Sequence, residues 1–229
     1  MSVHGDSTVS RLRFRASRSA GEVSALLTRP DDARWLVVLA HGAGAGMEHP
    51  FMESLAASLA ARGVASFRYQ FPYAERGSRR PDPAPLLEAT VRSAVEAAAA
   101  FAGELPLLAG GKSMGGRMTS RAAAREPLDG VRGIVFFGFP LHAIGKPGTE
   151  RADHLDDVDA PLLFLQGSRD RLADLALLEP IVERLGARAA IHVVDDADHS
   201  FHVPARSGRS DAEVIDELSD ATARWAAEL

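Results

Sequence analysis

Short, continuously apolar runs alternate with longer amphipathic ones along almost the whole chain. Runs such as Trp-Leu-Val-Val-Leu-Ala (35–40) and Gly-Ile-Val-Phe-Phe (133–137) have no polar position on either face. A strand of that kind must be covered on both sides, which is the condition of a parallel sheet. Strand-like runs fall at 11–16, 23–28, 35–40, 65–69, 105–110, 133–137, 161–166 and 190–194. The first two alternate polar and apolar residues and predict an antiparallel edge. Helical periodicity lies between strands at 51–62, 84–102, 116–125, 172–185 and 210–228. This β-α-β-α order predicts an α/β fold with a doubly wound, mostly parallel open sheet of about eight strands, helices on both faces.

A length of 229 residues fits one such domain over 1–229, with 1–10 expected to be loosely ordered. A net charge of −5 argues against nucleic acid or an anionic membrane as a partner. With no cysteine, disulfides, thiolate metal sites and a cysteine nucleophile are excluded. The first residues lack a basic start followed by an apolar run, and no stretch of about 18 apolar residues occurs, so the expectation is a cytoplasmic protein.

In an open α/β sheet, ligands bind where loops gather at the carboxyl ends of strands. Gly111-Lys112-Ser113-Met114-Gly115 follows an apolar run and precedes a helix-compatible segment. This is the sequence form of a nucleophile elbow, a strained strand–turn–helix corner that exposes one serine hydroxyl. Chain packed against the corner leaves no room for Cβ two residues either side of the serine, hence Gly111 and Gly115. The rival reading of Ser113 is a helix N-cap.

A serine hydroxyl needs an adjacent base, usually a histidine oriented by a carboxylate. Asp170 follows the run 161–166, and His199 follows the last strand, so Ser113, Asp170 and His199 share an order and a loop placement. Asp170 has a rival reading as a cap for the next helix. Asp174 is expected inside that helix; Asp196 and Asp198 lie too close in sequence to His199 to brace it. His202 is the rival base, and His192 lies mid-strand. The glycine-rich stretch His41-Gly-Ala-Gly-Ala-Gly46 can bring backbone N–H groups close to an oxyanion. The Met114 and Ala43 amides are the assigned donors, with Gly44 as fallback; His41 is assigned to bracing the loop. The stretch lacks dinucleotide and Walker spacing, so no nucleotide is expected.

Residues 41–52 (HGAGAGMEHPFM), 67–73 (FRYQFPY), 79–83 (RRPDP), 110–117 (GGKSMGGR) and 167–170 (GSRD) resemble the α/β-hydrolase superfamily. The similarity is to its lidless, dienelactone-hydrolase-like branch, which includes animal NSL-complex subunit 3 and testis-expressed hydrolase-like proteins. The resemblance implies a serine hydrolase acting on a small-molecule ester or thioester, with the triad above. Dienelactone hydrolases themselves use a cysteine, which is absent here. The alternatives are a catalytically idle interaction module and a serine-dependent acyltransferase or perhydrolase.

The interval 139–160 is too short for a lid domain. An open cleft shaped by loops 70–83 and 139–154 is therefore expected, with Phe71, Tyr73, Met114, Phe139, Leu141 and Phe201 as apolar walls. Lys112 either faces this cleft, where it would attract an acidic substrate, or turns away. Arg79 and Arg80 are assigned to a solvated loop. His142, His154 and Glu150 have no zincin-like spacing, so the reading takes no metal and no cofactor, and a monomer or weak homodimer.

Overall fold

The computed structural model describes residues 7–229. Eight strands form one sheet: β1 (Ser7–Ser17), β2 (Gly21–Pro30), β3 (Trp35–Ala40), β4 (Val64–Tyr69), β5 (Leu107–Lys112), β6 (Val131–Phe137), β7 (Leu162–Gly167) and β8 (Ala189–Val194). Their spatial order is β1-β2-β4-β3-β5-β6-β7-β8. β1 and β2 form the expected antiparallel edge, and the pairs from β4–β3 through β7–β8 are parallel. β1 starts at Ser7, so 7–10 belong to a strand where loose order was expected; residues 1–6 lie outside the described residues.

Each parallel strand divides its side chains between two cores, which explains the unbroken apolar runs. Leu36 and Val38 of β3, Ala109 of β5 and Phe136 of β6 face one core; Val37, Leu39, Leu108 and Val135 face the other. Helices α3 (Ala84–Ala102), α4 (Met114–Arg125) and α5 (Leu175–Leu185) cover the first face through Val91, Met118 and Ile181. α1 (Pro50–Ala60) and α6 (Asp211–Ala226) cover the second through Leu55, Leu59 and Leu218. A reciprocal Ser210–Glu213 capping box starts α6. α2 (Pro72–Glu75) is a single turn that the periodicity did not predict. Between β6 and β7 there is no lid, only a 3₁₀ segment (Glu150–Asp157) held to α4 by a 2.8 Å contact between His154 Nε2 and Ser120 Oγ.

From β3 the chain runs outward to β4, then returns across β3 to β5. That reversal opens a crevice between the carboxyl ends of β3 and β5. α4 starts inside it because two glycines permit the approach. A Cβ on Gly111 would stand 2.2 Å from the Ala40 carbonyl oxygen, and one on Gly115 2.4 Å from the same oxygen. Gly115→Ala is therefore expected to lower the unfolding free energy by about 1–3 kcal/mol, the usual cost of overpacking, read from urea denaturation.

Candidate active site

β5 runs two residues further than its apolar stretch, to Lys112, and α4 begins at once with Met114. Ser113 is left alone in the corner at φ 51°, ψ −116°. A non-glycine residue there is strained, and such strain marks functional corners. Ser113 does occupy the N-cap position, but its hydroxyl caps no α4 amide. It lies 2.8 Å from His199 Nε2 instead.

On the other side of the ring, His199 Nδ1 lies 2.7 Å from Asp170 Oδ2. Because a carboxylate only accepts, Nδ1 carries the proton and Nε2 is left to accept from Ser113. The Asp170 carboxylate is fully buried. It also accepts from the Leu172 amide at 2.7 Å and from Gln166 Nε2 at 2.5 Å. The carboxylate thus reaches the imidazole and also shapes the turn before α5, but it does not cap that helix, whose N-cap is Asp174.

The rival groups are engaged elsewhere. Asp174 is the N-cap of α5 rather than inside it, accepting from the Ala176 amide at 3.0 Å. Asp198 accepts from the Ser200 and His202 amides and so shapes the turn that presents His199. His202 is exposed and bound to Asp211 at 2.9 Å, which raises its pKa. Asp196 faces Arg206, and His192 pairs with Glu217.

The glycine-rich loop after β3 is locked from behind. The Gly42 carbonyl accepts from His41 Nδ1 at 2.8 Å, Tyr73 Oη at 3.3 Å and the Ala45 amide at 3.3 Å. A trans peptide points its C=O and N–H in opposite directions, so anchoring the Gly42 oxygen turns the Ala43 N–H away from these anchors. Among the described residues neither the Ala43 nor the Met114 amide donates a hydrogen bond. Met114 is the first residue of α4, where an unpaired N–H and the positive dipole end coincide.

The family model for the alpha/beta hydrolase domain matches residues 33–227, from β3 through α6. The chain belongs to the alpha/beta hydrolase family. Its fold is similar to that of a dienelactone hydrolase from Anabaena variabilis (21% identity, 96% of each chain covered, TM-score 0.75). It is also similar to a lidless α/β serine hydrolase from Xanthomonas campestris (19% identity, 95% of this chain and 94% of that one, TM-score 0.72). The esterase domain of a Rhodothermus marinus protein shares the fold as well (16% identity, 96% and 98% covered, TM-score 0.72).

A cleft of about 340 Å³ opens over Ser113 in this hydrolase, walled by Ala43, Ala45, Phe51, Met52, Leu172 and Ser200. It differs from the expected cleft, because loops 70–83 and 139–154 do not line it. Phe71, Phe139 and Leu141 are completely buried, Tyr73 nearly so, and all four pack in the core beneath α3 and α4. Met114 offers its amide while its side chain packs on that same core. Phe201 is buried against Phe51, ring centroids 5.7 Å apart, and borders a separate groove between α1 and α6. Gly44 makes the loop's left-handed turn at φ 70° instead of walling the cleft. Lys112 borders the cleft, but its ammonium donates to the His199 carbonyl at 2.5 Å. Arg79 and Arg80 are exposed. His142 bridges the Ala143 carbonyl and the Asp174 amide.

Two contributors escaped the sequence reading. Gln166 is fully buried at the end of β7, bonded to Asp170 and, through Oε1, to the Phe139 amide at 2.9 Å. A lone amide in the run Leu-Leu-Phe-Leu-Gln was the available signal. Residues 67–73 template the glycine loop. Arg68 donates to the Met47 carbonyl, Gln70 accepts from the Met47 amide, and the Phe71 amide donates to His41 Nε2 at 3.2 Å.

Burial holds His41 at a pKa of about 4, and His154 likewise. Below the ordinary value of 6.5, the unfolded chain takes up protons that these native rings refuse until about pH 4. Stability is therefore expected to fall as pH drops through that window, by on the order of 2 kcal/mol between pH 7 and 5 from His41 alone. Urea unfolding at the two pH values checks this.

Proposed function

We propose that this hydrolase cleaves a carboxylic ester or thioester through an acyl-enzyme formed on Ser113, with His199 as general base and acid and Asp170 as the orienting carboxylate. The observation that carries the reading is the continuous chain Ser113 Oγ–His199 Nε2 (2.8 Å) and His199 Nδ1–Asp170 Oδ2 (2.7 Å) at the floor of an open cleft. In this reading Ser113 Oγ attacks the carbonyl carbon as its proton passes to Nε2. The imidazolium is stabilised by the buried Asp170 carboxylate. The oxyanion is held by the Met114 and Ala43 amides, preorganised because neither has another partner. Collapse expels the alcohol or thiol, which takes the proton from Nε2. Water, deprotonated by the same nitrogen, then releases the acid.

A cleft of about 340 Å³ with no lid over it favours compact or exposed acyl groups. Within the superfamily we place the chain in the lidless, dienelactone-hydrolase-like branch, on the 41–52, 67–73 and 110–117 segments. A serine in place of that enzyme's cysteine favours simple esters and thioesters over dienelactone.

A fluorophosphonate probe should label Ser113, and a panel of p-nitrophenyl esters and acyl thioesters should be turned over. Ser113→Ala is expected to abolish both; a serine protease loses about 10⁶ in kcat without its nucleophile. Retention of more than a few per cent of esterase activity would remove Ser113 from this role. The value of kcat/KM should rise with pH through one ionisation, since only the neutral imidazole accepts the serine proton. His202→Ala should leave that profile in place.

Tyr73→Phe removes one of three anchors on the Gly42 carbonyl without touching substrate. Its kcat is expected to fall about twofold to fivefold with KM unchanged, the loss of part of one neutral hydrogen bond of about 1 kcal/mol. Steady-state kinetics on a soluble ester reads the split.

A further inference from the structure

Lys112 ends β5 and immediately precedes Ser113. Its stem runs beside the glycine loop, with Cγ 3.7 Å from where a Gly42 Cβ would stand. Nζ then turns toward the loop after β8 and donates to the His199 backbone carbonyl. The rings of Phe51 and Phe201 flank the ammonium at 5.7 and 5.2 Å, cation–π distances. Nζ and His199 Cε1 also converge on one point, lying 3.2 and 3.5 Å from where a Gly138 Cβ would project. An ammonium has three N–H donors, and the only hydrogen bond that Nζ makes among the described residues is to that carbonyl. A lysine held in this way is costly to desolvate for stability alone. Its charge lies within a few ångströms of the imidazole.

We propose that Lys112 is a positioning residue for His199: its N–H fixes the His199 carbonyl so that Nε2 faces Ser113, and its ammonium sets a positive charge beside the imidazole. The inference rests on the reading of His199 as the base. The charged groups around the pair are few. Asp170 on the loop after β7 and Asp198 on the loop after β8 act on Lys112, and His49 borders the cleft from the start of α1. Burial brings the Lys112 ammonium down to about 8, so its charge is present at neutral pH and is lost above it.

The test compares the intact protein with Lys112→Met and Lys112→Gln. Readouts are thermal melting, steady-state hydrolysis of a neutral p-nitrophenyl ester from pH 5 to 9, and NMR titration of the His199 ring. For Lys112→Met, kcat should fall about 10- to 100-fold with KM within about twofold, the scale of a misplaced catalytic group. The His199 titration should move up by about half to one pH unit. Lys112→Gln keeps a donor without the charge, so it should show the same NMR shift with a smaller loss of kcat; it carries the test if the methionine variant does not fold. An unmoved His199 titration in a folded variant overturns the proposal. So does a loss confined to KM and to anionic esters, which would make Lys112 a substrate-binding group. The NMR arm needs no turnover. If the wild type is neither labelled by fluorophosphonate nor active, the hydrolase reading fails while the Lys112–His199 coupling is still measured.

Discussion

The close approach of the start of α4 to the end of β3 organises everything else at the carboxyl edge of the sheet. Without side chains at Gly111 and Gly115, the corner can press against the Ala40 carbonyl. That contact places the first amide of α4 and the glycine-rich loop on the same side of Ser113. One steric condition thus brings the hydroxyl near the two amides proposed as oxyanion donors, with the positive end of the α4 dipole beside them. The strain at Ser113 is tolerated because β5, paired on both sides, and the buried face of α4 over-determine the corner.

Two histidines show how the same side chain is set to opposite tasks. His41 has both nitrogens satisfied by backbone, Gly42 on one side and Phe71 on the other, and burial keeps it neutral. A ring that never charges is suited to holding a carbonyl fixed. His199 has one nitrogen bound to a carboxylate and the other to a hydroxyl, at the edge of a cleft. In the proposed mechanism that ring takes the serine proton and gives it to the leaving group.

The order and type of the elements were legible because their signals are local. A strand covered on both faces is apolar at every covered position, as β3 and residues 133–137 of β6 are, and the helices carry their own periodicity. The elbow was legible too, since the backbone demands glycine two residues on either side of Ser113. The cleft walls were not. Phe71, Tyr73, Phe139 and Leu141 follow strands, and a large apolar side chain after a strand looks the same in sequence whether it faces solvent or core; here all four are buried. The boundary at 116 was late by two residues, because the glycine pair after Met114 disfavours a helix and the tertiary contact imposes the turn.

The segment 67–73 was visible as a motif but not as a device, since its contacts cross about thirty residues and mix side chains with backbone. Alternation along β4 sends Arg68 toward Met47 while Phe67 and Tyr69 enter the opposite core, so one strand serves packing and loop positioning at once. Gln70 and Tyr73 then take up the two ends of the glycine loop. A loop of small residues has little packing of its own to hold it and would pay a large entropy cost to point two amides at one spot. Hydrogen bonds linking Met47 to Arg68 and Gln70, and Gly42 to Tyr73 of α2, remove that freedom before any substrate arrives. In this protein the preorganisation attributed to the glycines is supplied by the neighbouring segment.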